Sequence, residues 1–402
     1  MKKICFVTQG ELPVPARKGG AVETLVEYIV DNNEINHNFE IDVITVDDDS
    51  IKDANYNYTR LFKVDRYDGS FAKIWDFIYR VLKKAFGIYI PYSITSRRML
   101  KILKERHDSY DLVIYEAGPT TQIPLIAKYV DKNKLLVHVH WDGCSNRKID
   151  NSFGYLIPVS GYIASVWKNG CDRDDDGIFV LRNCAPVEYF SKHTDDFERQ
   201  DLRNKLNIPA ENKVVIFTGR IVWEKGVLEL LSALEKIGDK NVSLLIVGSA
   251  NFGNATYTRY EKQVQELVLH AKHQVVFTGY VHQKELYKYY DIADIAVMPS
   301  QFQDPAPLVS IETQATGTPL IAMRVGGIPE YVTSESAVLV DKNDRQVDNL
   351  AKEITSLLSD ADKRKTMSEA GVDNAQKYTV QHFYNDFIEI TEEIGKRNEQ
   401  QT

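Results

Sequence analysis

The sequence predicts an α/β protein of two domains, each a parallel sheet covered by helices on both faces. Three observations predict it. The chain has 402 residues, more than one hydrophobic core usually serves. Short apolar runs rich in Val and Ile alternate with longer stretches of helical period, as expected of strands buried on both faces. That rhythm breaks once, after Asn183, where Ala185-Pro186-Val187-Glu188-Tyr189-Phe190 and a polar stretch to Glu211 precede a second series.

In order, the first series predicts strands at residues 4–8, 41–46, 112–115 and 135–140, with a first helix over 21–30. A linker falls near 184–195. The second series predicts strands at 214–219, 244–248, 275–279, 295–299, 320–323 and 337–340. The domains are therefore set at 1–184 and 185–375, with a C-terminal helical segment over 376–402.

Composition excludes several classes. Hydrophobic residues make up 43% and charged residues 26%, which suits a globular chain, with disorder expected only at the polar end from Glu399 to Thr402. The net charge of −8 argues against a broad basic face for nucleic acid, so any anion site is local. Cys5, Cys144, Cys171 and Cys184 are scattered without a CxxC pair, so neither a disulfide framework nor structural zinc is expected. The apolar run from Ile4 to Val7 is too short for a secretion signal, and no window offers the ~18 apolar residues of a membrane span. A cytoplasmic location is expected.

Ligands of open parallel sheets bind outside the carboxyl ends of the strands. The segment from Pro299 to Pro319 ends a strand, turns through Pro305 and Pro307, and opens a helix at about Pro307 that stops at Gly317. The first-turn N–H groups of Leu308 and Val309 make an anion site. Asp304 precedes this helix and Glu312 lies eight positions on, inside it. A carboxylate offers two acceptor oxygens to neighbouring sugar hydroxyls. The plainer alternative makes Asp304 a helix cap and Glu312 a solvated helix residue.

A second group, Thr218-Gly219-Arg220-Ile221-Val222-Trp223-Glu224-Lys225-Gly226, follows the first strand of the second series. Arg220 and Lys225 supply a planar fork and a mobile point charge, which a diphosphate leaving group needs where no metal neutralises it. Taken alone, they would be ordinary surface cations.

Gly219-Arg220 with Glu224-Lys225-Gly226, the acidic pair Asp304 and Glu312, Ala315-x-Gly317-x-Pro319, and Gly326-Gly327-Ile328-Pro329-Glu330 together resemble the retaining GT-B glycosyltransferases of family 4, the glycosyl transferases group 1. Gly19-Gly20 followed by Glu23-Thr24 resembles that family's first-domain glycine loop. Phe277-Thr278-Gly279-Tyr280-Val281 and Ala293-Asp294 before Met298-Pro299-Ser300 resemble its second-domain strands. Tyr378-Thr379-Val380 resembles the opening of a last helix that crosses back to the first domain.

The resemblance implies a GT-B fold, with two facing Rossmann-like domains and an interdomain cleft, the acceptor side first and the nucleotide-sugar side second. It implies that Arg220 and Lys225 hold the donor diphosphate, that Leu308 and Val309 contact phosphate, and that Glu312 binds the ribose. Asp304 would touch the donor sugar, and Val281 belongs to the donor-binding set. Gly19 and Gly20 would let backbone N–H groups approach phosphate. Asp304 stands where the family usually has Glu, Pro307 where it commonly has Gly, and Asn183-Cys184-Ala185-Pro186 replaces a more usual Asn-Gly hinge.

His138 and His140 are expected to face opposite sides of the sheet, leaving His140, at the strand's carboxyl end, to touch the donor sugar. A lone strand histidine is more often structural; the resemblance favours a functional one. No cofactor and no metal are expected. The implied reaction moves a hexose or N-acetylhexosamine from a nucleotide diphosphate sugar, by family habit a UDP-sugar, with retention of configuration, and no covalent nucleophile stands out. The implied acceptor is a lipid-linked intermediate of a bacterial surface polysaccharide, met at the inner face of the membrane.

Residues 71–87 carry aromatics and aliphatics at helical spacing among Lys73, Arg80, Lys83 and Lys84. The commoner arrangement packs such a stripe on the domain; the alternative lays it on a lipid surface. Other rivals are a sugar-nucleotide epimerase of the same architecture and a non-catalytic sugar-nucleotide sensor. A dinucleotide oxidoreductase would use Asp47 on a ribose, but the loop with Gly10, Gly19 and Gly20 lacks G-x-G-x-x-G. The run Asp47-Asp48-Asp49 imitates the metal site of single-domain transferases, an acidic solvated loop being the plainer reading.

Overall fold

The computed structural model describes residues 1–69, 71–143, 146–171, 173–249 and 258–400. The chain divides into two compact units, Met1–Arg182 with Gln381–Thr402, and Asn183–Val380. In the first unit, β1 (Lys2–Val7), β2 (Phe39–Val46), β3 (Thr59–Val64), β4 (Leu112–Glu116), β5 (Leu135–Val139) and β6 (Tyr155–Pro158) form one sheet. Its order is β3-β2-β1-β4-β5-β6, and every pairing is parallel.

The second unit holds β7 (Lys213–Thr218), β8 (Val242–Val247), β9 (Gln274–Gly279), β10 (Ile295–Met298), β11 (Leu320–Met323) and β12 (Ala337–Val340). Read from its own first strand, the order β12-β11-β10-β7-β8-β9 repeats that of the first unit. In both sheets the strand order therefore reverses between the first and fourth strands, where helices on opposite faces splay apart and leave a crevice.

The central strands read as continuous apolar runs because helices cover both faces. Ile4 to Val7, Val214 to Phe217 and Leu244 to Val247 are all buried. Strands β3 and β6 were not anticipated from the sequence. Both are edge strands: β3, Thr-Arg-Leu-Phe-Lys-Val, leaves four of its six residues at least partly exposed, and β6 is only four residues long. Arg60 and Lys63 interrupt the apolar pattern of β3, and β6, though buried, is too short to stand out.

Three helices of the first unit matter for the site: α1 (Ala21–Asn36), α2 (Phe71–Phe86) and α3 (Ile94–Arg106). The first runs past the expected residue 30 because Asn33 remains buried, bonding Phe39 through both its side-chain amide and its carbonyl oxygen. The last helix, Val380–Gln400, seats Phe387 against Phe6 and Phe39 at centroid distances of 5.9 and 5.8 Å. Cys5, Cys171 and Cys184 are buried and stand outside any disulfide; Cys144 and the last two residues of the polar tail lie outside the described residues.

Candidate functional site

The densest group of candidates lies in the second unit, at the carboxyl ends of β7 and β10 beside the switch point. Two loops are laced together there. Gln301 donates its backbone N–H to the Glu224 carbonyl at 2.7 Å, and a Cβ added to Gly226 would stand 1.9 Å from the Pro299 carbonyl oxygen. With φ at +75°, Gly226 also occupies the left-handed region that disfavours side chains. This contact brings Lys225 to Asp304, whose Oδ2 accepts from the ammonium at 2.6 Å. Phe302 lies under the same ammonium, 5.0 Å away. Gly327 closes the other side by donating its N–H to the Asp304 carbonyl at 2.8 Å.

The helix expected from Pro307 runs over Leu308–Ala315, with Pro307 as its N-cap residue and no side-chain cap. Asp304 is therefore no helix cap; it is a buried carboxylate paired with a lysine. Ser310 turns its N–H back to the Pro307 carbonyl at 3.2 Å. Leu308 and Val309, half-buried, carry the earliest N–H groups of the helix, which have no acceptor within it.

Glu312 is buried rather than solvated. Gln283 donates Nε2–H to its Oε1 at 3.0 Å, and Val281 belongs to the same loop, two residues earlier. Burial pushes the Glu312 carboxyl up to about 6, against the lowering effect of Gln283. Tyr290 sits beneath, joined to Thr218 at 2.6 Å and Thr313 at 3.3 Å, tying β7 to the helix. Arg220 follows Gly219 at the end of β7; it is exposed, and among the described residues no carboxylate pairs with it. Lys225, Asp304 and the helix start are thus brought together, while Arg220 stands free beside them on the same loop.

The first unit holds a second group at the corresponding switch point. Gly19 and Gly20 lead into α1, with φ of +79° and +102°. Both backbones lie where side chains are disfavoured, and a Cβ at Gly20 would also displace the Glu23 carboxylate, 2.3 Å away, while Gly19 opens on free space. Glu23 itself is buried, its carboxyl raised by burial and held by Gln9 at 3.2 Å. Beside it, β4 ends at Glu116, and the register pairs Glu116 with His138 of β5.

The expectation that His138 and His140 face opposite sides of the sheet is wrong. Strand side chains alternate, so residues two apart share a face, and the two rings lie with centroids 4.1 Å apart. Glu116 accepts from both: its Oε2 is 3.0 Å from His138 Nδ1 and 3.3 Å from His140 Nε2. Burial opposes ionisation of Glu116, but the two imidazoles outweigh it and hold the carboxyl down to about 2. Burial, then the neighbouring His138, lower His140 to about 4, so it is neutral at physiological pH. One ring nitrogen of each histidine and a Glu116 oxygen lie within 4.8 Å of one another, close enough for one cation, but the nitrogens that face Glu116 are engaged as hydrogen-bond donors to it.

Two features lie outside these groups, and the first departs from expectation. The stripe of α2 is not packed on the domain: Trp75, Tyr79 and Leu82 turn inward, while Phe71, Ile74, Phe77, Val81 and Phe86 are exposed, Phe77 at 66%. In the acidic run, Asp48 pairs with Lys18 at 2.6 Å and caps a short 3-10 turn through Ser50. That local use accounts for it.

Two doubly wound sheets of this order, with cationic and carboxylate groups at their switch points, define the GT-B class of fold. Residues 198–373 match the family model described as "Glycosyl transferases group 1". A D-inositol 3-phosphate glycosyltransferase of Corynebacterium glutamicum is 34% identical over 257 residues, 61% of this chain and 60% of that protein. The chain thus spans about three fifths of that relative's length. A lipopolysaccharide 1,2-N-acetylglucosaminetransferase of Salmonella typhimurium is 23% identical over 375 residues, 92% of this chain and 93% of the relative. The crystal structure of Anabaena Alr3699/HepE in complex with UDP superposes with a TM-score of 0.72 at 18% identity, covering 98% of this chain and 100% of the other. It shares the fold.

Proposed function

We propose that this protein is a retaining, metal-independent glycosyltransferase of family 4. It moves a hexose or N-acetylhexosamine from a UDP-sugar to a glycan acceptor, a lipid-linked intermediate of a surface polysaccharide. One observation carries the reading: a lysine, its partner carboxylate and an open helix N-terminus meet at the switch point of the unit that matches the family.

When the sugar–phosphate bond breaks, negative charge develops on the departing nucleoside diphosphate. Lys225, held 2.6 Å from Asp304, turns to that charge, and the free fork of Arg220 and the N–H groups of Leu308 and Val309 add donors. Asp304, released from the lysine, accepts sugar hydroxyls. Glu312 accepts the ribose hydroxyls, its orientation kept by Gln283. Gly19 and Gly20 admit phosphate to the start of α1, and His140 touches the donor sugar. UDP as the nucleotide is supported by the UDP complex of the Anabaena protein, and a glycan acceptor by the Salmonella relative.

A membrane-facing acceptor side is supported by the exposed stripe of α2 and by a groove of about 640 Å³ beside it. Arg97, Arg98, Lys101, Lys104 and Lys128 line that groove, and Arg97 lies 5.7 Å over the Trp75 ring of α2. Apolar side chains beside a basic groove suit an anionic lipid surface. No helix among the described residues is long and apolar enough to cross a membrane.

The reading is tested by incubating the protein with UDP-, GDP- and dTDP-sugars, with and without EDTA, and following donor hydrolysis by mass spectrometry. Slow release of one nucleoside diphosphate, unchanged by EDTA, is expected. An epimerised donor would replace this reading with an epimerase, and absence of both turnover and donor binding would end it.

A further inference from the structure

The buried Glu116 carboxylate takes part in no step described so far. It ends β4 at 1% exposure, opposite His138, and is hydrogen-bonded by both histidines of one strand face. An ionised carboxylate only accepts hydrogen bonds. The ring nitrogen that each histidine turns toward it must therefore carry the proton. For neutral His140 this fixes the tautomer: Nε2 holds the hydrogen and Nδ1 keeps the lone pair. Nδ1 has no partner among the described residues, which leaves it for a substrate. For His138 the atom turned away is Nε2, buried and without a hydrogen-bond partner. His138 thus makes no polar contact beyond the carboxylate and, 4.1 Å away, packs the His140 ring into place.

We propose that Glu116 is a positioning residue that, with His138 packed alongside, locks His140 as the Nε2–H tautomer, so that Nδ1 accepts an O–H from a carbohydrate hydroxyl. The inference rests on the reading of His140 as a sugar contact. The lock requires two acceptor positions on one buried group, which a carboxylate has. A carboxamide has one acceptor oxygen and a donating nitrogen. In Glu116→Gln that nitrogen can donate to His140 Nε2, which then loses its hydrogen. Nδ1 becomes N–H and meets the sugar hydroxyl with a donor where an acceptor is needed.

The test uses the full chain labelled with 15N-histidine. Long-range 1H–15N spectra report the tautomer directly, with His140 assigned by its absence from His140→Gln. The wild type is expected to show His140 as Nε2–H, and Glu116→Gln to populate Nδ1–H while keeping the wild-type circular dichroism. A wild-type Nδ1–H tautomer, or a tautomer unmoved by Glu116→Gln, overturns the proposal whether or not the protein turns over donor.

Kinetics then check that Glu116 acts through His140. Glu116→Gln should lower donor turnover on the order of 10-fold to 100-fold, by comparison with the loss of a carboxylate that orients a metal-bound histidine. The double variant Glu116→Gln/His140→Gln should be no slower than His140→Gln alone, because residues that act as a unit are not additive. Additive losses would leave Glu116 with a separate, structural effect and refute the positioning role. If Glu116→Gln unfolds, Glu116→Asp, which keeps the charge and shortens the reach, serves in the same spectra and the same cycle. Loss of donor turnover in the wild type with the tautomer in place would instead strike the proposed function and leave the lock standing.

Discussion

Lys225 is the residue on which the donor site turns, and its removal separates two effects. In Lys225→Met the Asp304 carboxylate loses its partner while remaining buried. Breaking a fully buried pair costs about 3–5 kcal/mol. The Lys225 side chain is 22% exposed and that of Asp304 7%, so water relieves part of the charge. A loss of about 1–3 kcal/mol is then expected, the range for one unsatisfied buried group. In a unit of this size that lowers Tm by roughly 2–12 °C. Adding Asp304→Asn removes the stranded charge, so the double variant should recover part of the loss.

Activity should behave differently. A cation that stabilises departing diphosphate is worth about 100-fold to 1,000-fold in turnover, by comparison with deletion of one oxyanion donor. The double variant should remain as slow as Lys225→Met, because neutralising Asp304 restores no positive charge. Differential scanning calorimetry and mass-spectrometric donor hydrolysis, run on both singles and the double, measure the two effects side by side. Folded Lys225→Met with turnover within about tenfold of wild type would place the leaving group elsewhere.

Glu312→Gln should stabilise the protein at neutral pH while weakening donor binding. A carboxyl raised from 4.5 to about 6 binds its proton more tightly when folded, so its contribution is favourable at low pH and is lost as pH rises from about 4.5 to 6. The neutral amide escapes that penalty of about 2 kcal/mol, readable as a higher Tm at pH 8 but not at pH 4; a lower Tm at pH 8 would contradict it. Gly226→Ala, whose new Cβ would meet the Pro299 carbonyl at 1.9 Å in a backbone at φ +75°, should lose at least about 2 kcal/mol on thermal unfolding. A variant as stable as wild type would show the two loops are not held as described. Phe77→Asp in α2, or Lys73, Lys83 and Lys84 changed to Glu, should reduce sedimentation with phosphatidylglycerol vesicles several-fold; equal partitioning of wild type and variants would remove the membrane contact.

Much of the fold was legible because parallel sheets impose a plain pattern. Val214 to Phe217 and Leu244 to Val247 are apolar without interruption since both faces are covered, and β11 and β12 were placed to the residue. The two edge strands of the first sheet escaped, as Thr59–Val64 mixes Arg60 and Lys63 with its apolar residues and Tyr155–Pro158 is short, while the edge strands of the second sheet, β9 and β12, were found. In the donor group, residue types and loop positions pointed to Lys225, Asp304 and Glu312, but not to the ion pair between the first two. That pairing depends on the close approach at Gly226, a contact between segments about 73 residues apart that spacing along the chain does not encode. The burial that shifts Glu312 is likewise a property of packing.

Glu116 differs, because a signal for it was present. The two units repeat one strand order, so the end of the fourth strand borders the switch point in each. In the second unit that rule directs attention past β10, to Asp304. In the first unit it directs attention to the end of β4, where Ile114 and Tyr115 give way to a carboxylate that a buried strand would otherwise exclude. The two-residue spacing of His138 and His140 then requires both rings on one face, and the parallel register sets that face against Glu116. Strand periodicity, applied consistently, joins the two histidines, while their meeting with Glu116 depends on the register between β4 and β5.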